Sequence, residues 1–316
     1  MIISLAPMEG LTGHVFRRVH ARHFGKLDRY YTPFLAPPRV GSHFGKRHAA
    51  ELDPSNNDGL NVVPQLLTNN VDEFVWAADL VSQMGYAQIN LNVGCPSKTV
   101  VGKGKGSGML RDIAALKSFL VEVCGRSPIP VSVKTRLGIA SDNEFDAVLE
   151  AYCDCPLAEL IVHPRVQKDF YRGEPRLAPY RNVLEKAPFP IAFNGDIYSV
   201  EDCRNLLAVC PQTAHVMIGR GILANPALAR EIQGGEGLKP AELRSFHDEL
   251  AEEYEREMGN NAAFIMKEWW FYAKSCFAKP DTVHRMVREV TSLNEYKTAV
   301  EAVFKTMKFA EHPRFK

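Results

Sequence analysis

The sequence predicts an α/β chain: a (β/α)8 TIM barrel followed by a small bundle of C-terminal helices. Three observations carry this reading. Short apolar strands alternate with amphipathic helical stretches eight times over about 220 residues, the count of a closed barrel. Polar or glycine-rich residues stand at seven of the eight strand ends, the side of a barrel that carries chemistry. Strand signals then stop at "QGGEGLKP", a glycine-rich break before Pro240. A doubly wound open sheet shares the alternation, but eight repeats without a G-x-G-x-x-G after the first strand favour the barrel.

The predicted strands are residues 2–6, 30–34, 61–67, 87–91, 131–134, 159–163, 191–193 and 215–218. Residues 71–84 and 113–123 carry the helical pattern between strands, and 222–232 is the last helical stretch before the break. Beyond it, "AELRSFHDELAEEYEREMG", "AAFIMKEWWFYAKSCF", "DTVHRMVREV" and "NEYKTAVEAVFKTM" read as helices punctuated by Asn and Gly. The expected domains are residues 1–237, the barrel, and 238–316, the helical bundle.

A length of 316 residues allows a large domain plus a smaller one. With 46% hydrophobic and 24% charged residues, a packed core is expected rather than disorder. The opening "MIISLAPMEG" is too short for a secretory signal and lacks its basic start. No run nears the roughly 18 apolar residues of a membrane helix. Seven cysteines without a paired framework suggest a reducing cytoplasm. No protein partner is evident, and a monomer is expected.

The net charge of +1 hides an uneven distribution. Residues 14–48 hold Arg17, Arg18, Arg22, Lys26, Arg29, Arg39, Lys46 and Arg47 against one acid, Asp28. Residues 97–111 add Lys98, Lys103, Lys105 and Arg111 with no acid. One such run reads as a solvated face. Two, flanking strand-end loops, shift the reading towards a polyanionic partner. The helices beyond the break are acidic at 249–257 and basic from 267 to 316.

The strand ends supply the chemistry. "APMEG" follows the first strand, and Gln65 lies on the third. Asn92 and Cys95 end the fourth, Lys134 and Arg136 the fifth, His163 and Arg165 the sixth. The seventh ends in Asn194, Gly195 and Asp196, and the eighth in Gly219, Arg220 and Gly221. Loops after the last two strands of a barrel, with a helix N-terminus, form a recurring phosphate site because free N–H groups point at the anion. Glycine admits close backbone approach and Arg220 adds charge. A phosphate-bearing cofactor beside a lysine and a histidine points to FMN, with Lys134 near the reducible end of the ring, or to PLP. No partner for a pyridine nitrogen is evident.

Cys95 sits between Gly94 and Pro96, in a turn that presents its side chain just past a strand. The other six cysteines read as small buried hydrophobes. Cys153 and Cys155 have no second pair at zinc spacing, so no metal is expected.

"APMEGLT", "LNVGCPSKTVVGKGKGSGML", "VSVKTRLG", "IVHPR", "FNGDI" and "VMIGRG" occur in that order. As a set they resemble the flavin-dependent tRNA-dihydrouridine synthases, in their short bacterial form, from residue 4 to the C-terminal helices. The resemblance implies a barrel holding FMN and a helical domain that helps hold tRNA. It implies reduction of the C5–C6 bond of a uracil with NADPH as the usual reductant, NADH being the alternative. Carried over by motif, Pro7, Met8, Glu9, Gln65, Lys134, His163, Asn194, Gly195, Asp196, Gly219 and Arg220 hold FMN. Cys95 is then the acid and Asn92 a contact to the uracil. Pro164 departs from the glycine or alanine of many members, so a different orientation is expected for the "VQKDFYRG" loop beyond it.

That chemistry gives the cysteine a purpose. Hydride attacks C6 and C5 must then receive a proton. A thiol with an ordinary pKa of about 8.5 is mostly neutral at pH 7 and can donate it. A uracil in folded tRNA must also be unstacked, at a cost of a few kcal/mol that phosphate contacts offset. Lys98, Lys103, Lys105, the 35–48 loop and the basic C-terminal helices are the expected phosphate contacts. Arg136, Tyr171 and Arg172 are expected on the substrate side of the site. The alternative is a dihydroorotate dehydrogenase-like flavin oxidoreductase of a free pyrimidine, which needs neither the lysine-rich loop nor the helical appendage. An RNA-binding module retaining a flavin site is a third reading, opposed by intact Cys95 and Lys134.

Overall fold

A computed structural model describes residues 1–311 and 313–315. Its strands are β1 (Ile2–Leu5), β2 (Arg29–Tyr31), β3 (Val62–Val63), β4 (Gln65–Leu66), β5 (Ile89–Val93), β6 (Val131–Arg136), β7 (Glu159–His163), β8 (Ile191–Asn194) and β9 (His215–Ile218). They form one sheet in the order β3-β2-β1-β9-β8-β7-β6-β5-β4, with parallel pairing. Its two ends, β3 and β4, are separated only by Pro64, so the sheet closes into a barrel. Proline has no N–H to give the ladder, which cuts the expected third strand in two. Its carbonyl still accepts from the Asn90 N–H at 2.8 Å.

Other expectations shift locally. β2 stops at Tyr31, ahead of Pro33, rather than reaching 34. β5 runs on to Val93 and β6 to Arg136, so Asn92 and Arg136 lie on strands rather than beyond them. The expected helix 222–232 is two short ones, Arg220–Ala224 and Leu228–Ile232, broken at Asn225 and Pro226. The lysine-rich stretch after Cys95 contains a single helical turn, Lys98–Val101, and a 3-10 segment, Gly106–Arg111.

By packing, the chain forms two compact units. The first comprises Met1–Pro7, Asp28–Gly195 and Leu206–Met217. Its centre is a buried cluster of Ala6, Tyr31, Val63, Ile161, Ala192 and Met217, the interior of the barrel. Nearer the strand starts lies a buried polar chain. Glu159 accepts from Tyr31 Oη at 2.8 Å and from an Arg29 guanidinium nitrogen at 2.9 Å. His215 bridges Glu159 (2.8 Å) and Ser4 Oγ (2.7 Å).

The second unit comprises Met8–Leu27, Asp196–Asn205 and the residues from Ile218 on. Here α1 (His14–Phe24) packs on α2 (Pro240–Met258), followed by α3 (Ala262–Ala273), α4 (Pro280–Arg288) and α5 (Leu293–Thr306). Each of the four C-terminal stretches with a helical pattern forms its helix. Phe246 inserts between Phe24, Phe16 and Trp269, and Tyr296 Oη is shared by His247 Nε2 and Trp270 Nε1. Among the described residues no helix is long and apolar enough to cross a membrane. Lys316, the last residue of the basic run, lies outside the described residues.

Candidate active site

The strand register of the first unit aligns its polar residues. Gln65 stands opposite Asn90, Asn92 opposite Lys134, and Arg136 opposite His163. Buried amides must be satisfied, and here they satisfy one another. Gln65 Nε2 donates to Asn90 Oδ1 at 2.8 Å, Asn90 Nδ2 to Ser132 Oγ at 2.9 Å, and Asn92 Nδ2 to Gln65 Oε1 at 2.8 Å. This fixes which end of the Asn92 amide points forward. Its Oδ1 accepts from the N–H groups of Gly94 (3.0 Å) and Cys95 (2.9 Å).

The turn bearing Cys95 is held by two further residues. Its carbonyl accepts from Ser107 N at 3.1 Å and Ser107 Oγ at 2.8 Å. Gln167 Nε2 donates in turn to Ser107 Oγ at 3.0 Å. Arg136 Nε donates to the Gly94 carbonyl at 2.8 Å. Gly106 closes the loop at φ +56°, where a Cβ would stand 2.8 Å from the Cys95 oxygen, so only glycine fits. The backbone is fixed and Cys95 is half-buried. Of the other cysteines, Cys155, Cys203, Cys210 and Cys276 are buried, as expected of small hydrophobes, while Cys124 and Cys153 are half-buried; all seven are free thiols.

Lys134 is half-buried and has no acidic partner among the described residues. Burial, then the Arg136 charge, pushes its ammonium down to about 7, against a smaller upward pull from Cys95. His163 lies well below the ordinary imidazole range because of burial and the cations Arg136, Lys134 and Arg165. Its tautomer follows from its neighbours. Arg165 can only donate, so His163 Nε2 accepts at 3.2 Å. Nδ1 then carries the hydrogen and faces Asn194 Oδ1 at 3.4 Å, while Asn194 Nδ2 donates to the Met217 carbonyl at 2.9 Å. His163 is a neutral, oriented imidazole.

Arg136 is almost fully buried and gives two more bonds, to the carbonyls of Val166 (3.1 Å) and Phe170 (2.7 Å). Phe170 sits at φ +54°, strained for a bulky residue by about 1–3 kcal/mol. Tyr171 follows, exposed, with its ring edge-on to His163 at 6.2 Å and the Arg136 guanidinium 5.4 Å from its centroid. Arg172 is exposed beside it. Pro7 and Gly195 are half-buried at the ends of their strands.

In the second unit, Met8 N donates to Thr12 Oγ1 at 2.8 Å, and Glu9 is exposed in that tight turn. Asp196 accepts from Arg220 at 2.5 Å, and the Arg220 guanidinium lies 5.4 Å from the Tyr198 ring centroid. Gly219 is buried; at Gly221 a Cβ would stand 2.0 Å from the Ile197 carbonyl oxygen, so these two loops touch through backbone. The helix after Gly219 has only five residues.

Charge distribution needs one correction. The first part of the 14–48 run does not stand free as a basic face, whereas Arg39, Lys46 and Arg47 of the 35–48 loop are exposed. Arg18 pairs with Glu253 at 2.7 Å, Arg22 with Glu249 at 2.5 Å, and His14 with Glu257 at 2.7 Å. Arg29 pairs with Glu159 at 2.9 Å inside the barrel. The three pairs on the α1 surface contribute about 0–1 kcal/mol each, but they neutralise the charge that Arg18 and Arg22 would otherwise present. Lys98, Lys103 and Lys105 are different: none is in an ion pair among the described residues, and Lys98 and Lys103 are exposed.

Sequence reading left Ser107, Gln167 and Arg165 without roles. Arg165 carried a signal in "VHPR", at a strand end. Ser107 and Gln167 carried none, because their importance lies in contacts across 12 and 60 residues. Among the described residues no three His, Cys, Asp or Glu side chains gather as a metal site requires.

The class of protein comes first from the fold. Morphinone reductase superposes with a TM-score of 0.52 at 12% identity, covering 76% of this chain and 87% of its own. A variant of NCR from Zymomonas mobilis gives 0.52 at 15%, covering 77% and 90%. At that identity the likeness establishes the TIM barrel alone. The family comes from sequence: a model described as dihydrouridine synthase (Dus) matches residues 4–308, and the chain belongs to that family. It is 30% identical over 249 residues to the tRNA-dihydrouridine(16) synthase of Pseudomonas syringae pv. tomato, covering 76% of this chain and 78% of that one. It is 32% identical over 232 residues to tRNA-dihydrouridine synthase B of Pasteurella multocida, covering 73% and 68%. With the tRNA-dihydrouridine(16) synthase of Cupriavidus necator it is 28% identical over 322 residues, covering 95% and 97%.

Proposed function

We propose that this protein reduces a uridine of tRNA to 5,6-dihydrouridine, with FMN as cofactor and NADPH as reductant, NADH serving as the alternative. The observation that carries the reading is the fixed Cys95 turn, anchored by Asn92, Ser107 and Arg136 on a barrel end that also bears an unpaired lysine. The residues fit a flavin mononucleotide. In the first unit, Lys134 is in no ion pair among the described residues and feels the Arg136 guanidinium, which suits an electron-rich ring. Pro7, Gln65, His163, Asn194 and Gly195 complete that set. In the second unit, Arg220 is oriented by Asp196 beside the backbone of Gly219, which suits a phosphate, and Met8 and Glu9 join that set.

When bound, FMN would supply the hydride for C6. The chain's own task is to give a proton to C5, and Cys95 is the donor. His163 is held neutral and its one hydrogen faces Asn194, so it is badly placed for the role. Asn92 keeps a second amide hydrogen beyond the one given to Gln65, and that hydrogen is the proposed contact to uracil. Tyr171 and Arg172 flank the uracil, and Arg136 serves it by holding the loops that do. Lys98, Lys103 and Lys105 contact phosphates, which favours tRNA over a free pyrimidine. A helical domain of residues 238–316, following a 1–237 barrel domain in the chain, holds the tRNA. Position 16 is the proposed uridine, because a relative matched along 95% of this chain is a synthase named for it. The free thiols suit the cytoplasm, where the protein acts as a monomer.

The test is Cys95→Ala. Flavin reduction by NADPH and tRNA binding should persist, while oxidation of the reduced flavin by tRNA slows roughly 10²- to 10⁴-fold. Serine should rescue little, being a far weaker acid. Unchanged oxidation would make another group the acid, and Lys134 would be the rival to test. Mapping dihydrouridine in tRNA treated with the enzyme checks the position.

A further inference from the structure

The last described residues of the chain return to the loop that carries Asp196. Residues 308–310 are anchored first: Ala278 N donates to the Lys308 carbonyl at 2.9 Å and Ala310 N to the Cys276 carbonyl at 2.8 Å. Arg314 then donates to Asp202 Oδ1 at 2.7 Å, and the other oxygen of that carboxylate accepts from Tyr198 N at 3.0 Å. Phe315 is buried, with its ring 5.7 Å from that of Tyr198 and 5.1 Å from that of Tyr272. Tyr198 also carries the Arg220 guanidinium, 5.4 Å from its ring centroid. A run of touching side chains therefore leads from Phe315 through Tyr198 to Arg220 and Asp196, with Asp202 tying Arg314 to the same tyrosine.

We propose that Arg314 and Phe315 are positioning residues for Arg220, and that they set the affinity for the phosphate of the cofactor. This rests on the reading of Arg220 as the phosphate cation. A guanidinium is long and loses much rotamer freedom when fixed, so a site that relies on it needs a surface to lay it on. Tyr198 is that surface, and Phe315 with the Arg314–Asp202 pair holds Tyr198 in turn.

Two ligands separate positioning from general stability: FMN, and riboflavin, which lacks the phosphate. Their affinities for the apoprotein are read from flavin fluorescence quenching. Phe315→Ala should weaken FMN about tenfold, the size of one well-placed cation–π contact, and leave riboflavin unchanged. Arg314→Gln should act in the same direction, and Phe315→Tyr should restore FMN affinity. In an Arg220→Met background, Phe315→Ala should make no further difference. Equal losses for FMN and riboflavin, or an undiminished effect in the Arg220→Met background, would overturn the latch alone. If Arg220→Met leaves the FMN-to-riboflavin affinity ratio unchanged, the phosphate assignment itself fails and takes the latch with it.

Discussion

The Nε of Arg136 donates to the Gly94 carbonyl at 2.8 Å, one residue ahead of Cys95. The same guanidinium holds the Val166 and Phe170 carbonyls. One buried cation thus ties the turn that presents the thiol to the loop that presents Tyr171. By sequence Arg136 counts among groups that touch substrate, whereas its hydrogen bonds go to main chain.

From this relationship, Arg136→Met should leave flavin reduction by NADPH near normal and slow flavin oxidation by tRNA about a hundredfold, the cost of misplacing a reacting group by about 1 Å. Arg136→Lys should not restore it, because one ammonium cannot span three carbonyls on two loops. Stopped-flow measurement of the two half-reactions decides. Equal slowing of both would mean that the barrel, not the turn, was disturbed.

Lys134 should make cofactor binding proton-linked. Near 7 in the free protein, its ammonium is mostly deprotonated at pH 8. An electron-rich ligand favours the charged form and raises that value, so FMN binding at pH 8 should take up a proton, and affinity should fall as pH rises above 7. The phosphate, whose second pKa is about 6, is already ionised there. Calorimetry in two buffers of different ionisation enthalpy measures the uptake, and Lys134→Met should abolish it. Heats that do not depend on buffer in the parent protein would refute the linkage.

Two sets of cations should behave oppositely towards tRNA. Charge reversal at Lys98, Lys103 and Lys105 should weaken binding. The slope of log K against log salt should flatten by about 0.7 to 0.9 for every phosphate no longer held. Arg18→Gln and Arg22→Gln should change neither quantity, because their charges are already matched by Glu253 and Glu249. A salt titration of tRNA binding reads both. If the arginine variants flatten the slope and the lysine variants do not, the phosphate contacts have been assigned to the wrong residues.

Glu159 should govern acid stability. Burial works against its ionisation, yet the bonds from His215, Arg29 and Tyr31 hold its carboxyl below the ordinary range. A carboxyl depressed in the fold contributes stability above its unfolded value, about 4.3, and that contribution is lost as pH falls through the folded value. Glu159→Gln should destabilise the protein at pH 7 by about 3–5 kcal/mol, as breaking a buried pair does. Towards pH 3.5 the gap should narrow. Urea unfolding at the two pH values provides the comparison, and an equal gap at both would exclude the carboxylate as its source.

Strand alternation, the helical C-terminal stretches and the set of polar strand ends were all legible from residue order. These are local: period, glycine, proline and residue type decide them. Residue order also determined that Cys95 lies in a turn, since Gly94 and Pro96 leave little else. Tertiary structure decided what those residues do for one another. Asn92 orients the turn because the pairing of β4 with β5 brings Gln65 Oε1 within 2.8 Å of its amide nitrogen. Ser107, Gln167 and Arg165 join the site only once distant loops meet. Arg18 and Arg22 lose their apparent role because α1 lies on α2 and its acids reach them. Charge and hydrogen bonding act through space over a few ångströms, and the chain order of a barrel does not reveal which side chains come within that range.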